Sequence, residues 1–277
     1  MTKQESIPAC PLCTGKATKP FHRDRKREFF HCLECDLVFV PPEFHLLPEA
    51  EKERYEFHSH SLAESGYRDF LNRLFQPLEQ KLKQYPPRLS PRSSHPSEGG
   101  DLQQSPPPEG CPKGGVGLNI TPLQSLSAPM PGAHGLDFGC GREPTLSVLF
   151  EEAGFPCANY DLYYFNNPAV LEKQYDFLTC SETIEHFRNP CEEFERFLQL
   201  VKPGGWIGIM TQLRDSAPPF ERWFYKDDAT HVCFFSRQSF QWLSTACSRK
   251  RVTREKTCDL HVEFHPDGVV LFHVPGK

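Results

Sequence analysis

The sequence predicts an α/β fold: an open, largely parallel sheet with helices on both faces, plus a small N-terminal metal ribbon. Three observations carry that expectation. Gly135-Leu136-Asp137-Phe138-Gly139-Cys140-Gly141 reads as a buried strand running into a glycine turn. A helical stretch over 145–154 follows at once, with Gly154 as its stop, and apolar strands then alternate with helices as far as 211. Strand, glycine turn and helix form the first unit of a nucleotide-binding sheet, in which the helix N-terminus faces the ligand. Two Cys-x-x-Cys pairs near the N-terminus are the third observation.

The first of these pairs is Cys10 and Cys13; the second is Cys32 and Cys35. A tetrahedral zinc takes four soft ligands, and each such turn points two thiolates at one spot. The spacing falls in the zinc-ribbon window. A redox dithiol would need only one pair. The four cysteines are therefore the predicted ligands of a Zn2+ ion in a ribbon over 1–45, with strands at 29–31 and 37–40. The basic run 22–27 is expected at a solvated hairpin tip.

A helical lid or linker is expected over 46–85. Leu71, Leu74, Phe75, Leu78 and Leu82 recur at helical spacing, and Pro77 should kink the run or start a new helix. Tyr55, His58, Tyr67 and Arg68 then either reach a pocket or sit on helices packed at the sheet edge. Residues 86–132 are rich in proline, serine and glycine with no apolar period. Such a segment buries too little to offset its ordering entropy, so it reads as a disordered insert.

The sheet domain occupies 133–277. Its second strand, 157–161, ends in Asp161, where an acid can bind a ribose diol. A third predicted strand runs from 175 and ends at the polar Ser181 and Glu182. Only residues 162–175 separate Asp161 from Asp176, so a helix and an extra strand barely fit between them. A helix over 194–201 closes at Lys202-Pro203-Gly204-Gly205, and a strand covers 206–211. Ser236 should cap a helix reaching 246. Residues 251–257 and 269–274 should form the last antiparallel pair.

These pieces resemble the class I S-adenosylmethionine (SAM)-dependent methyltransferases over 134–274. The matching motifs are LDFGCG, the strand-end Asp161, YDFLTCSETIEHF and KPGGW. A narrower resemblance covers nearly the whole chain: bacterial methyltransferases that begin with a four-cysteine zinc ribbon. It rests on Tyr55-Glu56-Phe57-His58, on 66–71, and on Thr230-His231-Val232-Cys233-Phe234-Phe235-Ser236. The resemblance implies a Rossmann-like class I methyltransferase sheet, roofed by the N-terminal helices, with SAM on Asp137, Gly139, Cys140, Gly141, Asp161, Ser181 and Glu182. Two departures stand out. Gly141-Arg142-Glu143 replaces the usual Gly-x-Gly, and no acid is identifiable for the adenine, for which Asn166 and Asn167 would substitute.

Methyl transfer rests mainly on orienting the acceptor, and a base is needed only where the acceptor must lose a proton. Polar residues at the carboxyl ends of strands are the candidates. They are Glu185 and His186 after one strand and His231 further on. Each also has a plain structural role to fill: a helix cap, an ion pair, a loop tie.

The chain has 277 residues, a net charge of −5 and 12 cysteines. That charge gives no basic field for nucleic acid. No apolar run suggests a signal peptide or a membrane span, so cytosol or nucleus is expected and no membrane partner. The leading reading is a methyltransferase acting on a small molecule. One alternative is an RNA or protein methyltransferase whose ribbon grips the substrate. Another is a degenerate SAM-fold binding module, which Glu143 keeps open.

Overall fold

The computed structural model describes residues 7–56, 65–84, 132–250 and 260–276. The expected insert, His58 and the expected strand at 251–257 lie outside those residues, apart from Gly132. In chain order the elements begin with β1 (Thr18–Arg23), β2 (Glu28–Cys32) and β3 (Val38–Phe39). Helices α1 (Pro48–Glu56) and α2 (Ser65–Gln84) follow. Then come β4 (Gly135–Phe138), α3 (Thr145–Glu152), β5 (Cys157–Tyr160), β6 (Tyr175–Ser181), α4 (Pro190–Leu200) and β7 (Val201–Met210). The last elements are β8 (Cys233–Phe234), α5 (Arg237–Lys250), β9 (His261–Phe264) and β10 (Val269–His273).

The main sheet has the order β5-β4-β6-β7-β10-β9. Its first four strands are parallel, while β10 runs antiparallel to β7 and β9 antiparallel to β10. The final pair is thus β9 with β10, ten residues later at its start than 251. Side chains alternate across the sheet, and the alternation divides the core. Leu178, Cys180, Ile207, Ile209, Val270 and Phe272 pack towards α4 and α5, against Phe194, Phe197 and Phe240. Phe177, Trp206, Met210, Val269 and Leu271 pack on the other face, with Leu71, Leu74 and Leu78 of α2 and Leu146 and Phe150 of α3. Both faces are covered, which is why these strands read as continuous apolar runs.

Helix α2 continues through Pro77, and no new helix starts there. Leu71, Leu74, Leu78 and Leu82 are all buried on one stripe. Packing of both halves onto the sheet outweighs the single helical bond that proline removes. The helix lies on the sheet face rather than its edge. Gly208 permits this, because a Cβ there would stand 3.0 Å from the methyls of Leu74 and Leu78. Between β5 and β6 the chain makes only a 3₁₀ turn, Pro168–Glu172, and no extra strand.

The ribbon strands form a second sheet, β1-β2-β3-β8. Its last strand comes from the far side of the chain: Val38 pairs with Phe234 and Phe39 with Cys233. Phe29 of β2 is fully buried and meets Phe220 at 5.2 Å and Phe234 at 5.8 Å between ring centres. The segment expected as a separate module, 1–45, therefore shares both a sheet and a core with the domain that follows. Phe29→Ala should lower stability by about 3–5 kcal/mol, the usual cost of emptying a buried aromatic site. Chemical denaturation should show that loss in the main unfolding transition, not in a separate early one.

Candidate active-site cleft

The carboxyl ends of β4, β5 and β6 open onto a cleft of about 1550 Å³. Its floor is the glycine turn after β4. Gly139 and Gly141 have φ of +78° and +69°, a region that favours glycine. A Cβ on Gly139 would collide with Thr183, whereas one on Gly141 would meet nothing within 4 Å. The bare backbone at Gly141 therefore leaves room for a ligand.

The turn's amide groups are not free, contrary to what a simple glycine cradle suggests. Gly139 and Cys140 donate to the Tyr160 carbonyl at 2.8 and 3.2 Å, and Gly141 donates to Asp161 Oδ2 at 3.1 Å. The parallel pairing of β4 with β5 brings the turn against the end of its neighbour. Asp161 Oδ1 also accepts from the amides of Tyr163 and Tyr164. Asp161 thus braces the turn and lines the cleft beside it. Asp137 sits below, 3 % exposed, and accepts a hydrogen bond from Thr179 at 2.8 Å. Burial pushes its carboxyl up to about 7. It does not line the cleft, whereas Cys140, Ser181 and Glu182 do.

Glu143 lines the cleft too, so the residue in the usual glycine position faces the ligand side. Neither Asn166 nor Asn167 does. Asn167 caps the 3₁₀ turn by accepting from the Ala169 amide, and Leu162, Tyr163 and Tyr164 occupy that rim instead. Tyr55 of α1 and Tyr67 of α2 reach the cleft, while Arg68 pairs with Glu152 outside it.

The three candidate catalytic residues converge, with one ligand atom of each within 4.8 Å of the others. Glu185 is fully buried. It accepts from the Tyr225 hydroxyl at 2.5 Å and the Thr211 hydroxyl at 3.0 Å. Both imidazoles rest on carbonyls. His186 Nδ1 donates to the Thr230 carbonyl at 3.1 Å, and His231 Nδ1 donates to the Tyr225 carbonyl at 2.7 Å. A carbonyl only accepts, so in each ring Nδ1 carries the proton and Nε2 is the acceptor of the neutral form. Burial, aided by His186, lowers His231 to about 4. Glu182, at a positive φ of 46°, is pushed up to about 9 by burial and by the charge of Glu185.

The four ribbon cysteines also converge, with all sulfur atoms within 4.8 Å of one another. Cys10 and Cys35 are 3.5 Å apart, and Cys13 and Cys32 are 3.3 Å apart. The two knuckles match. Thr14 and Asp36, each following a second cysteine, have φ of +60°, and each donates its amide to the carbonyl of the first.

Arg23, Arg25 and Lys26 of the basic run at the hairpin tip are exposed as expected, and Arg27 departs from that solvation. Arg27 is only 6 % exposed and donates to the carbonyls of Lys226, Asp228 and His231. Neither its role nor those of Thr211 and Asp228 was visible in the sequence. A lone arginine in a charged run carries no signal of what it will meet across some two hundred positions.

A glycine turn after the first parallel strand, a strand-end acid beside it and a cleft lined by both acidic and aromatic side chains above define a Rossmann-like cofactor-binding domain. Residues 62–246, more than half of the chain, match the family described as "Methyltransferase domain", and the chain belongs to that family. Among curated relatives, the ubiquinone biosynthesis O-methyltransferase of Bordetella avium is 28% identical over 122 residues, covering 35% of this chain and 50% of that one. The corresponding protein of Salmonella typhimurium is 30% identical over 117 residues, covering 42% and 40%. The chain spans about half or less of the length of the curated relatives it matches. Similar solved structures include the plantazolicin methyltransferase BpumL with a triazolic desmethylPZN analog and SAH (13% identity, TM-score 0.44, covering 83% of this chain and 91% of that one). Another is CalO1, a methyltransferase in calicheamicin biosynthesis, in its SAH-bound form (14% identity, TM-score 0.36, covering 52% and 49%). No helix among the described residues is long and apolar enough to cross a membrane.

The His231 ring sets a pH dependence of stability. Its folded value lies below the ordinary 6.5, so between about pH 6.5 and 4 the unfolded chain binds a proton that the folded chain does not. Stability should therefore fall as pH falls through that window, by on the order of 3 kcal/mol from this group. Denaturant titrations of wild type and His231→Gln across the window should show a shallower pH slope in the variant.

Proposed function

We propose that the chain is a SAM-dependent methyltransferase that methylates a hydroxyl group on a small, largely apolar molecule. The observation that carries the reading is His231: a buried, neutral imidazole of fixed tautomer, beside Glu185 in a cleft that begins at the glycine turn. SAM supplies an electrophilic methyl group on a positively charged sulfonium. The bare Gly141 backbone, Cys140, Asp161 and Ser181 are the residues that would hold it, and the Asp161 carboxylate beside the turn suits its charge.

The chain's own part in the reaction is orientation and proton handling. His231 Nε2 is unprotonated at neutral pH and so can accept a hydrogen bond from an acceptor hydroxyl. Glu185 stabilises positive charge that builds on the ring as the proton moves, because it lies beside it in a buried site. Tyr225 and Thr211 donate to both carboxylate oxygens of Glu185 and hold it in place. Tyr55, Tyr163, Leu162 and Phe224 give the acceptor side an aromatic and aliphatic wall, and Leu162 and Phe224 are 60% and 69% exposed. Such a wall favours a small apolar body with few polar groups. O-methylation is also the activity named for the curated relatives.

The cysteine cluster is read as a zinc site. Four sulfur donors on two matching knuckles fit the tetrahedral Zn–S distance of about 2.3 Å. Hydrogen bonding among the thiols pushes Cys10 and Cys35 up and holds Cys13 down. Thiolate ligands also require a reducing compartment, cytosol or nucleus. The ribbon's buried Arg27 favours a supporting role over the grip on RNA or protein considered above.

Calorimetric titration should show SAM binding by the wild type. Asp161→Ala should weaken it by about ten- to a hundredfold, the loss of one charge-assisted hydrogen bond and of the turn's brace. Unchanged affinity in that variant would place the cofactor elsewhere, and no heat with wild type at millimolar SAM would leave only a binding module. Metal analysis of freshly purified protein should find one zinc per chain, reduced in Cys32→Ser. Substoichiometric zinc in both would overturn the metal assignment.

A further inference from the structure

We propose that Arg27 is a positioning residue of the cleft: from the ribbon hairpin its guanidinium fixes the turn that carries His231. This rests on the reading of His231 as the acceptor-side imidazole. The hairpin tip is itself rigid, since Asp24 Oδ1 accepts from the Lys26 and Arg27 amides at 2.7 Å each. From it the Arg27 side chain crosses the ring of Phe29 at 5.2 Å and reaches three carbonyls. One guanidinium nitrogen donates to Asp228 at 3.0 Å and to His231 at 3.1 Å, and the other donates to Lys226.

Those carbonyls belong to one irregular turn whose side chains face the cleft. Tyr225, Asp227, Asp228, Thr230 and His231 all line it. The Tyr225 carbonyl, which holds His231 Nδ1, directly precedes the first carbonyl that Arg27 takes. Capping Lys226 and His231 at the same nitrogen pair fixes the two ends of the turn relative to each other. The ring can keep its Tyr225 bond only while they stay so. Arginine suits the task because its planar fork addresses several acceptors from one position, which a lysine ammonium on a flexible stem does less well.

The link continues into the cysteine cluster. Arg27 directly precedes β2, and Cys32 ends that strand. On the far side, Val40 donates to the Val232 carbonyl at 2.9 Å and β3 pairs with β8. The turn is therefore held from both ends by the ribbon. Around the His231 ring, among the described residues, the charged and titratable groups are His186 and Glu185 from the segment after β6, and Asp228 and Tyr225 from its own turn, with Arg54 and Tyr55 of α1 behind Asp228 and His186, and Arg27 on the His231 carbonyl. Every hydrogen bond from the Arg27 guanidinium to the turn goes to a backbone carbonyl.

The test follows the histidine rings of 15N-labelled protein by NMR, with His231 assigned from His231→Gln. Wild type should show a proton on Nδ1 and titration well below the ordinary range. In Arg27→Ala the His231 midpoint should rise by about one unit or more towards 6.5, with Nε2–H signal appearing, as the ring gains solvent. SAM affinity should stay within about threefold of wild type and metal content should equal it, because glycine turn and cysteines are untouched. Arg27→Lys should fall between the two and decides the matter if Arg27→Ala does not fold. A midpoint and tautomer unchanged in the variants would overturn the proposal, and so would equal losses of SAM and metal, which would mark a general unfolding. The histidine readout needs no SAM. A wild type that binds none would therefore refute the methyltransferase reading and leave this one to stand or fall by itself.

Discussion

One wall of the cleft is a loop with no regular structure, and its backbone polar groups have to be satisfied from outside. Between β7 and β8 the chain makes only short 3₁₀ turns at Arg214–Ser216, Phe220–Arg222 and Phe224–Asp227. Buried carbonyls without partners would each cost on the order of 1–3 kcal/mol. The ribbon supplies the partners: Arg27 for three of them and Val40 for the carbonyl of Val232. In return the loop supplies Arg214, which donates to the Asp36 carbonyl and side chain beside the second knuckle. Phe29, Phe220, Trp223 and Phe234 fill the space between with ring contacts of 5.2–6.0 Å. Removing the ribbon from such an arrangement would leave the loop without a core, so the ribbon belongs to the cleft's architecture.

The short connection after β5 shapes the opposite wall. With no strand beyond β5, that strand is the edge of the sheet, and the chain turns back at once through Asp161. Its bridge to Phe165 closes a tight loop that places Leu162, Tyr163 and Tyr164 on the rim. Asp161 is the pivot, since its two oxygens accept from three amides at 2.8–3.1 Å. A residue selected only to touch a ligand would keep its oxygens free. Here the same carboxylate builds the loop and faces the cleft, which couples the shape of that wall to the geometry of the glycine turn.

Much of this was legible from local pattern. The β4 turn, the α3 helix with Gly154 as the stop just beyond it, the Ser236 cap and the four cysteines are signals carried by a few adjacent residues, and each is seen in the structure. Gly154 has φ of +86°, and Ser236 Oγ accepts from the Ser239 amide at 3.2 Å. The shortage of chain after Asp161 was also readable, as a matter of length. What failed was long-range. The charged hairpin tip is solvated as its sequence suggests except at Arg27, and nothing near Arg27 announces the carbonyls it meets. Pro77 starts no new helix, one of its two expected effects, because the leucine stripe that carries α2 past it acts through tertiary contact. The amides of the glycine turn look free until the neighbouring strand is placed beside them.

Counting charges along the cleft gives a misleading picture of its field. Many of its carboxylates have a cation beside them: Glu51 with Arg188, Asp228 with Arg54, Glu193 with Arg196 and Asp227 with Lys226. Glu182 holds its proton at neutral pH, through burial and the nearby charge of Glu185. Asp161 and Glu185 differ in kind. Their hydrogen-bond donors are backbone amides in one case and two hydroxyl groups in the other, with no arginine or lysine contact among the described residues. Neutral donors orient a carboxylate without cancelling its charge. Two points of oriented negative charge therefore face the cleft, one beside the glycine turn and one beside His231. A cation bound on the turn gains from the first point. A proton arriving on the His231 ring gains from the second, because an imidazolium held low by burial is stabilised most by a fixed charge in the same buried site.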